Sequence, residues 1–177
     1  MAVTINGTGP VTGLTTIASP TTINGVTLPT TGFGKILQIV RVTDVSSRST
    51  SSTSFSDVTG MSVTITPQMN TSAILVISTF YGLAVRISGT GCRALYAITD
   101  SSNNTVSGGG ATLGSYRYSY GSSAISDGPV TLIGYATPAT TSAVTYKLRF
   151  KAGEAGNSAE LEGTVNTSQM YAIEVSA

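Results

Sequence analysis

Histidine is absent from this chain, and with it goes a large share of enzyme chemistry. A Ser-His-Asp or Cys-His nucleophile, a histidine general base and any His-ligated zinc or iron site are excluded. Cysteine occurs once, as Cys92, so neither an intrachain disulfide nor a cysteine metal cluster can form. Within CRALYAIT it reads as a small inward-facing residue. Charge is scarce: 10% of the 177 residues are Asp, Glu, Lys or Arg, against roughly 25% in an ordinary soluble domain. The net charge of +1 comes from nine basic and eight acidic residues scattered singly. That leaves no electrostatic footprint for nucleic acid or an anionic membrane, and neither is expected as a partner. No apolar run approaches the roughly 18 residues of a membrane span, and the N-terminus lacks the basic-then-apolar order of a secretory signal. Gly108-Gly109-Gly110 is not followed by Gly-Lys-Ser/Thr, so it is no phosphate loop. Asp44, Asp57, Asp100 and Asp127 stand singly, without the oxygen cluster that calcium needs. No cofactor and no metal are expected.

Ser, Thr and Gly take the place of the missing charge, and the β-branched content favours strands over helices. From Met61 to Ile65 apolar residues alternate with Ser62 and Thr64, which predicts a strand with one wet face. The run Ala73 to Tyr81 is apolar on both alternating sets: Ile74, Val76 and Phe80 point one way, Leu75, Ile77 and Tyr81 the other. It reads as a strand buried on both faces. Asp57 to Gly60 and Pro67 to Asn70 carry turn chemistry and bracket the first of these strands. Lys35 to Val42, Cys92 to Thr99 with Arg93 and Thr99 outward, Pro129 to Ala136, Ala143 to Lys151, Glu160 to Val165 and Ser168 to Val175 read as further strands. Asp44 to Thr53 reads as a polar loop, Gly82 to Gly91 as a connection and Asp100 to Asn104 as a hairpin turn. Eight or nine strands at about ten-residue spacing predict an all-β fold, an antiparallel β-sandwich or jelly roll, over residues 35–177.

Residues 1–34 form a different kind of segment, an N-terminal arm. No charged residue precedes Lys35, and three of the six prolines fall here. Thr4-Ile5-Asn6-Gly7 is echoed by Thr22-Ile23-Asn24-Gly25, and each Asn-Gly is a hairpin signal with too few flanking β-formers for a free-standing sheet. Ile5, Val11, Leu14, Ile17, Ile23, Val26, Leu28 and Phe33 give the arm apolar side chains that a disordered tail would not keep. An attachment arm, resting on a neighbouring subunit or a larger assembly, is the expectation; extra strands on its own domain are the plainer alternative.

Two constellations could carry chemistry. Glu160 and Glu162 share a face of one strand at roughly 6.5 to 7 Å, a separation that glycosidase chemistry tolerates. Catalytic carboxylates usually come from different elements around a cleft, however, so a solvated edge-strand face is expected here. Tyr116, Tyr118 and Tyr120 lie on one face of an extended segment, suited to a subunit interface or to contact with a ligand such as a host surface glycan. No catalytic residue is expected.

GKILQIV (34–40), SSTSFSDVTGMSVTITP (51–67), SAILVIST (72–79), ATPATTSAVTYKLRF (136–150) and MYAIEVSA (170–177) together resemble a group of small virion proteins of tailed bacteriophages, tail fibre or tail fibre-like. The resemblance covers about Gly34 to the C-terminus. It implies a non-enzymatic structural component located in the virion, built from β-sandwich heads that assemble as trimers and contact other capsid or tail proteins. The chain is short for a fibre and has no shaft repeat, so a capsid decoration (cement) or head-fibre subunit fits its length at least as well. A receptor or carbohydrate-binding module at a tail tip is the alternative.

Overall fold

The structure, a computed structural model, describes residues 22–23, 26–27, 34–86, 93–109, 125–164 and 166–176. The chain divides into two compact units, Met1–Phe33 and Gly34–Ala177. In the first, β1 (Thr22–Ile23) and β2 (Val26–Thr27) pair antiparallel, with Ile23 opposite Val26.

The second unit is an antiparallel β-sandwich with nine strands among the described residues, as the spacing of apolar runs predicts. They are β3 (Ile36–Asp44), β4 (Arg48–Thr50), β5 (Ser56–Ile65), β6 (Ala73–Arg86), β7 (Ala94–Asp100), β8 (Ile125–Ala136), β9 (Val144–Ala152), β10 (Asn157–Glu162) and β11 (Ser168–Val175). One sheet holds β5, β9 and β7 in that order, and the other is organised around β6. Along one edge, β6 pairs with β11 through residues 73–79 and with β10 through 81–86. Its other edge pairs with β8 over nearly its whole length. Beyond β11 and β10 lie β3 and β4, which complete six strands.

The alternation in β5 works as its sequence predicts, with Met61, Val63 and Ile65 buried and Ser62 and Thr64 exposed. These three pack with Ile74, Val76 and Phe80 of β6 and with Tyr146, Leu148 and Phe150 of β9 in one core. Burial of each such side chain stabilises the fold by about 1.5–3 kcal/mol relative to exposure.

Asp57 to Gly60 is not a turn. The segment is a bulge inside β5, where the register jumps from Asp57 opposite Arg149 to Ser62 opposite Lys147. Gly60 absorbs the excess chain at φ +89°. The expected connection at Gly82 is also absent, since β6 runs on to Arg86. Gly82 sits in β6 because a Cβ there would lie 3.0 Å from a Val130 methyl and 3.1 Å from the Tyr96 hydroxyl. Through that slot Tyr96 of β7 crosses the core, its Oη 2.6 Å from the Glu160 carbonyl oxygen and 3.0 Å from that of Leu83.

Three further expectations change. Thr99 does not face solvent; it is 3% exposed, because the return at 105–109 hydrogen-bonds along β7 and the long side chain of Lys147 flanks it on β9. The polar stretch at 44–53 contributes β4, an edge strand on β10 whose hydrophilic residues suit that position. The run 73–81 is fully buried on one face only: Leu75, Ile77 and Tyr81 are half-buried on the outside of the six-stranded sheet.

Candidate functional site

Most of the arm expected to anchor the protein, including Ile5, Val11, Leu14, Ile17, Leu28 and Phe33, lies outside the described residues, and so do Tyr116, Tyr118 and Tyr120. Ile23 and Val26 are placed through their backbone pairing alone.

Glu160 and Glu162 do share the outer face of β10, but β10 is not an edge: it is flanked by β6 and β4. Each carboxylate is engaged locally. Glu160 accepts from the Ser158 hydroxyl at 2.6 Å. Glu162 accepts from the Thr164 amide at 2.7 Å and the Ser47 hydroxyl at 3.1 Å, and these donors, Thr164 first, hold its carboxyl below the usual glutamate value. Glu162 thereby ties the segment before β4 to the end of β10.

Two other features stand out. The first is the outer face of the six-stranded sheet. Alternate residues of four adjacent strands fall into cross-strand rows there, set by the registers of β8, β6, β11 and β3. One row is Tyr135, Leu75, Ile173 and Ile39; the next is Ile133, Ile77, Tyr171 and Arg41. A bulge in β3 places Ile36 opposite Val175, which extends the apolar surface beside Ala73. The fourth row is polar, with Thr131, Thr79, Gln169 and Thr43. Ile36 is 56% exposed, Ile39 57%, Ile133 51% and Tyr135 52%. With strands about 4.8 Å apart and same-face residues about 6.8 Å apart, the three apolar rows cover roughly 400 Å², at the size where exposed apolar patches mark interaction sites. Its only charge is Arg41, whose guanidinium lies 5.7 Å from the centre of the Tyr171 ring.

The second is a cleft of about 430 Å³ at one end of the sandwich, between the turn after β7 and the connection from β8 to β9. One wall is the Asp100–Asn104 turn. Asp100 accepts from the Asn104 amide and side chain at 2.9 and 3.0 Å, and these bonds, the side-chain one first, hold its carboxyl below the ordinary aspartate value. The facing wall carries Tyr135, Thr137 and Pro138, and Tyr146 lies opposite Asp100 in the β7–β9 register. Burial, and then the Asp100 charge, push the Tyr146 hydroxyl up.

No family model and no curated protein matches this chain.

The apolar face had a signal in the sequence, namely the doubly apolar run 73–81, whose outward set forms its centre. The cleft had none, since its walls come from segments some thirty residues apart whose hydroxyls and amides look like ordinary loop composition.

Proposed function

We propose that this protein is a non-enzymatic structural component of a bacteriophage virion, a tail fibre-like, capsid decoration or head-fibre subunit that assembles with further copies of itself and is fixed to the particle by its N-terminal arm. The observation that carries this reading is the apolar outer face of the six-stranded sheet. Water contact at Ile36, Ile39 and Ile133 is unfavourable, and a second copy presenting the same face would relieve it, with Arg41 on the outer strand β3 as the one charge of the three rows. Trimeric assembly is the arrangement that the sequence resemblance favours.

The arm supports the same reading from the sequence side. It has no charged side chain before Lys35, so its attachment to a capsid or tail protein rests on apolar burial and backbone pairing, as in strand addition to a sheet edge. Such attachment is insensitive to salt. Deletion of residues 2–33 tests it: particles assembled with the truncated protein are expected to lose it at all ionic strengths, and undiminished occupancy would show that the arm is not the anchor.

A further inference from the structure

We infer that the cleft between the Asp100–Asn104 turn and the β8–β9 connection is a binding site for a neutral saccharide. Its volume, about 430 Å³, falls within the roughly 300–1,000 Å³ of small-ligand sites. Its chemistry narrows the class. Among the described residues no Lys or Arg lines it and Asp100 supplies the one carboxylate, which disfavours phosphate, sulfate and carboxylate ligands. Its rim of Ser, Thr and Asn side chains is too polar for a lipid or hydrocarbon. Among the described residues no group of three metal-ligating side chains occurs, so a cation is not the fit. What remains is a ligand dense in hydroxyls that also has an apolar face. A pyranose has both, and the lining residues Tyr135, half exposed, and Pro138 offer apolar surface against which its C–H face can lie.

The polar groups are already set in place. Asp100 accepts from Asn104 on each carboxylate oxygen and from the Ser102 amide as well, and a carboxylate with about four acceptor positions still has room for a ligand hydroxyl. The turn is braced by the Asp100 amide on the Asn104 carbonyl at 2.9 Å and by Lys147, which donates to Asn103 at 2.7 Å. Among the described residues, the two non-glycines at positive φ are Asn103 at 70° and Ala139 at 52°. They lie in the two loops that bound the cleft. Asparagine tolerates that conformation, but alanine there is strained, and such strain collects where a loop is held in shape for a ligand. A prearranged wall spares the ordering cost of binding.

This inference does not rest on the assembly reading, although Tyr135 contributes to both surfaces. The test is titration of the isotope-labelled full-length protein with glucose, galactose, mannose, N-acetylglucosamine, their disaccharides and glucuronic acid, followed by amide chemical shifts, with oligomeric state measured in parallel. At least one neutral sugar is expected to give saturable shifts confined to residues 100–107 and 135–146, with glucuronic acid roughly tenfold weaker or more. Tyr135→Ala should weaken binding roughly three- to tenfold while Tyr135→Phe leaves it within about twofold. Thr137→Val, which removes one hydroxyl at constant shape and lies off the apolar rows, should cost about fivefold. The inference is overturned if no neutral sugar shifts these amides, if glucuronic acid binds as well as its neutral counterpart, or if both Tyr135→Ala and Thr137→Val bind like wild type. Loss of sugar binding with an intact oligomer, or the reverse, tells the two readings apart.

Discussion

Glu174 is the residue whose environment departs furthest from its type. It is fully buried on the inner face of β11, yet among the described residues no cation pairs with it. Its carboxylate instead accepts from the Gln38 side chain at 2.6 Å, the Gln68 amide at 2.8 Å and the Met69 amide at 3.3 Å, which pins the β5–β6 turn onto the end of the sandwich. Burial pushes its carboxyl up, but these donors outweigh burial and hold it below the ordinary glutamate value. A folded pKa below the unfolded one contributes stability that is complete above the unfolded value, about 4.3, and is lost as pH falls through the folded value. Glu174→Gln should therefore destabilise the protein by about 1–3 kcal/mol at neutral pH, because a neutral amide cannot accept from all three donors. It should also flatten the decline in stability below about pH 4.3. Urea midpoints of both proteins across that range check this; parallel curves would show that the carboxylate charge is not what holds the turn.

At the scale of elements, packing joins the two sheets and Tyr96 adds a polar tie through the core. Tyr96 leaves β7, stacks obliquely on Phe80 with ring centres 4.8 Å apart, and ends within hydrogen-bonding reach of two carbonyls in the opposite sheet. Burial pushes its hydroxyl pKa well up, so it remains a donor at any ordinary pH. Tyr96→Phe keeps the ring and leaves those carbonyls without this donor in the core, and should cost about 1–3 kcal/mol with an unchanged denaturant slope. A loss under about 0.5 kcal/mol would mean that the ring alone joins the sheets. None of this tie was legible in the sequence, although most of the strands were. Period-two alternation identified β5 and β9, because one wet face leaves a readable pattern. It failed at Gly82, where glycine marks a slot and not a break, and at β4, whose Arg-Ser-Thr is strand only because β10 lies beside it. The doubly apolar pattern of β6 was visible, but a pattern of residues does not say whether the second face is covered by the same chain or by another.

That question belongs to the whole molecule. A patch of roughly 400 Å² is about half of what one partner contributes to a standard interface, about 800 Å². The apolar rows alone therefore support reversible association, and a stable particle component needs further contacts such as the arm can supply. Two changes separate the contributions. Ile39→Lys with Ile133→Lys places like charges on β3 and β8 of the same face, at positions more than half exposed. Stability of the sandwich should then move by no more than about 0.5 kcal/mol, while a second copy bearing the same two lysines would be repelled and would have less apolar surface to bury. Light scattering across a concentration series should show wild type shifting from monomer to oligomer as concentration rises and the double variant staying monomeric. If the double variant associates as wild type does, copies do not meet through this face. The structural-subunit reading would then have to rest on the arm alone.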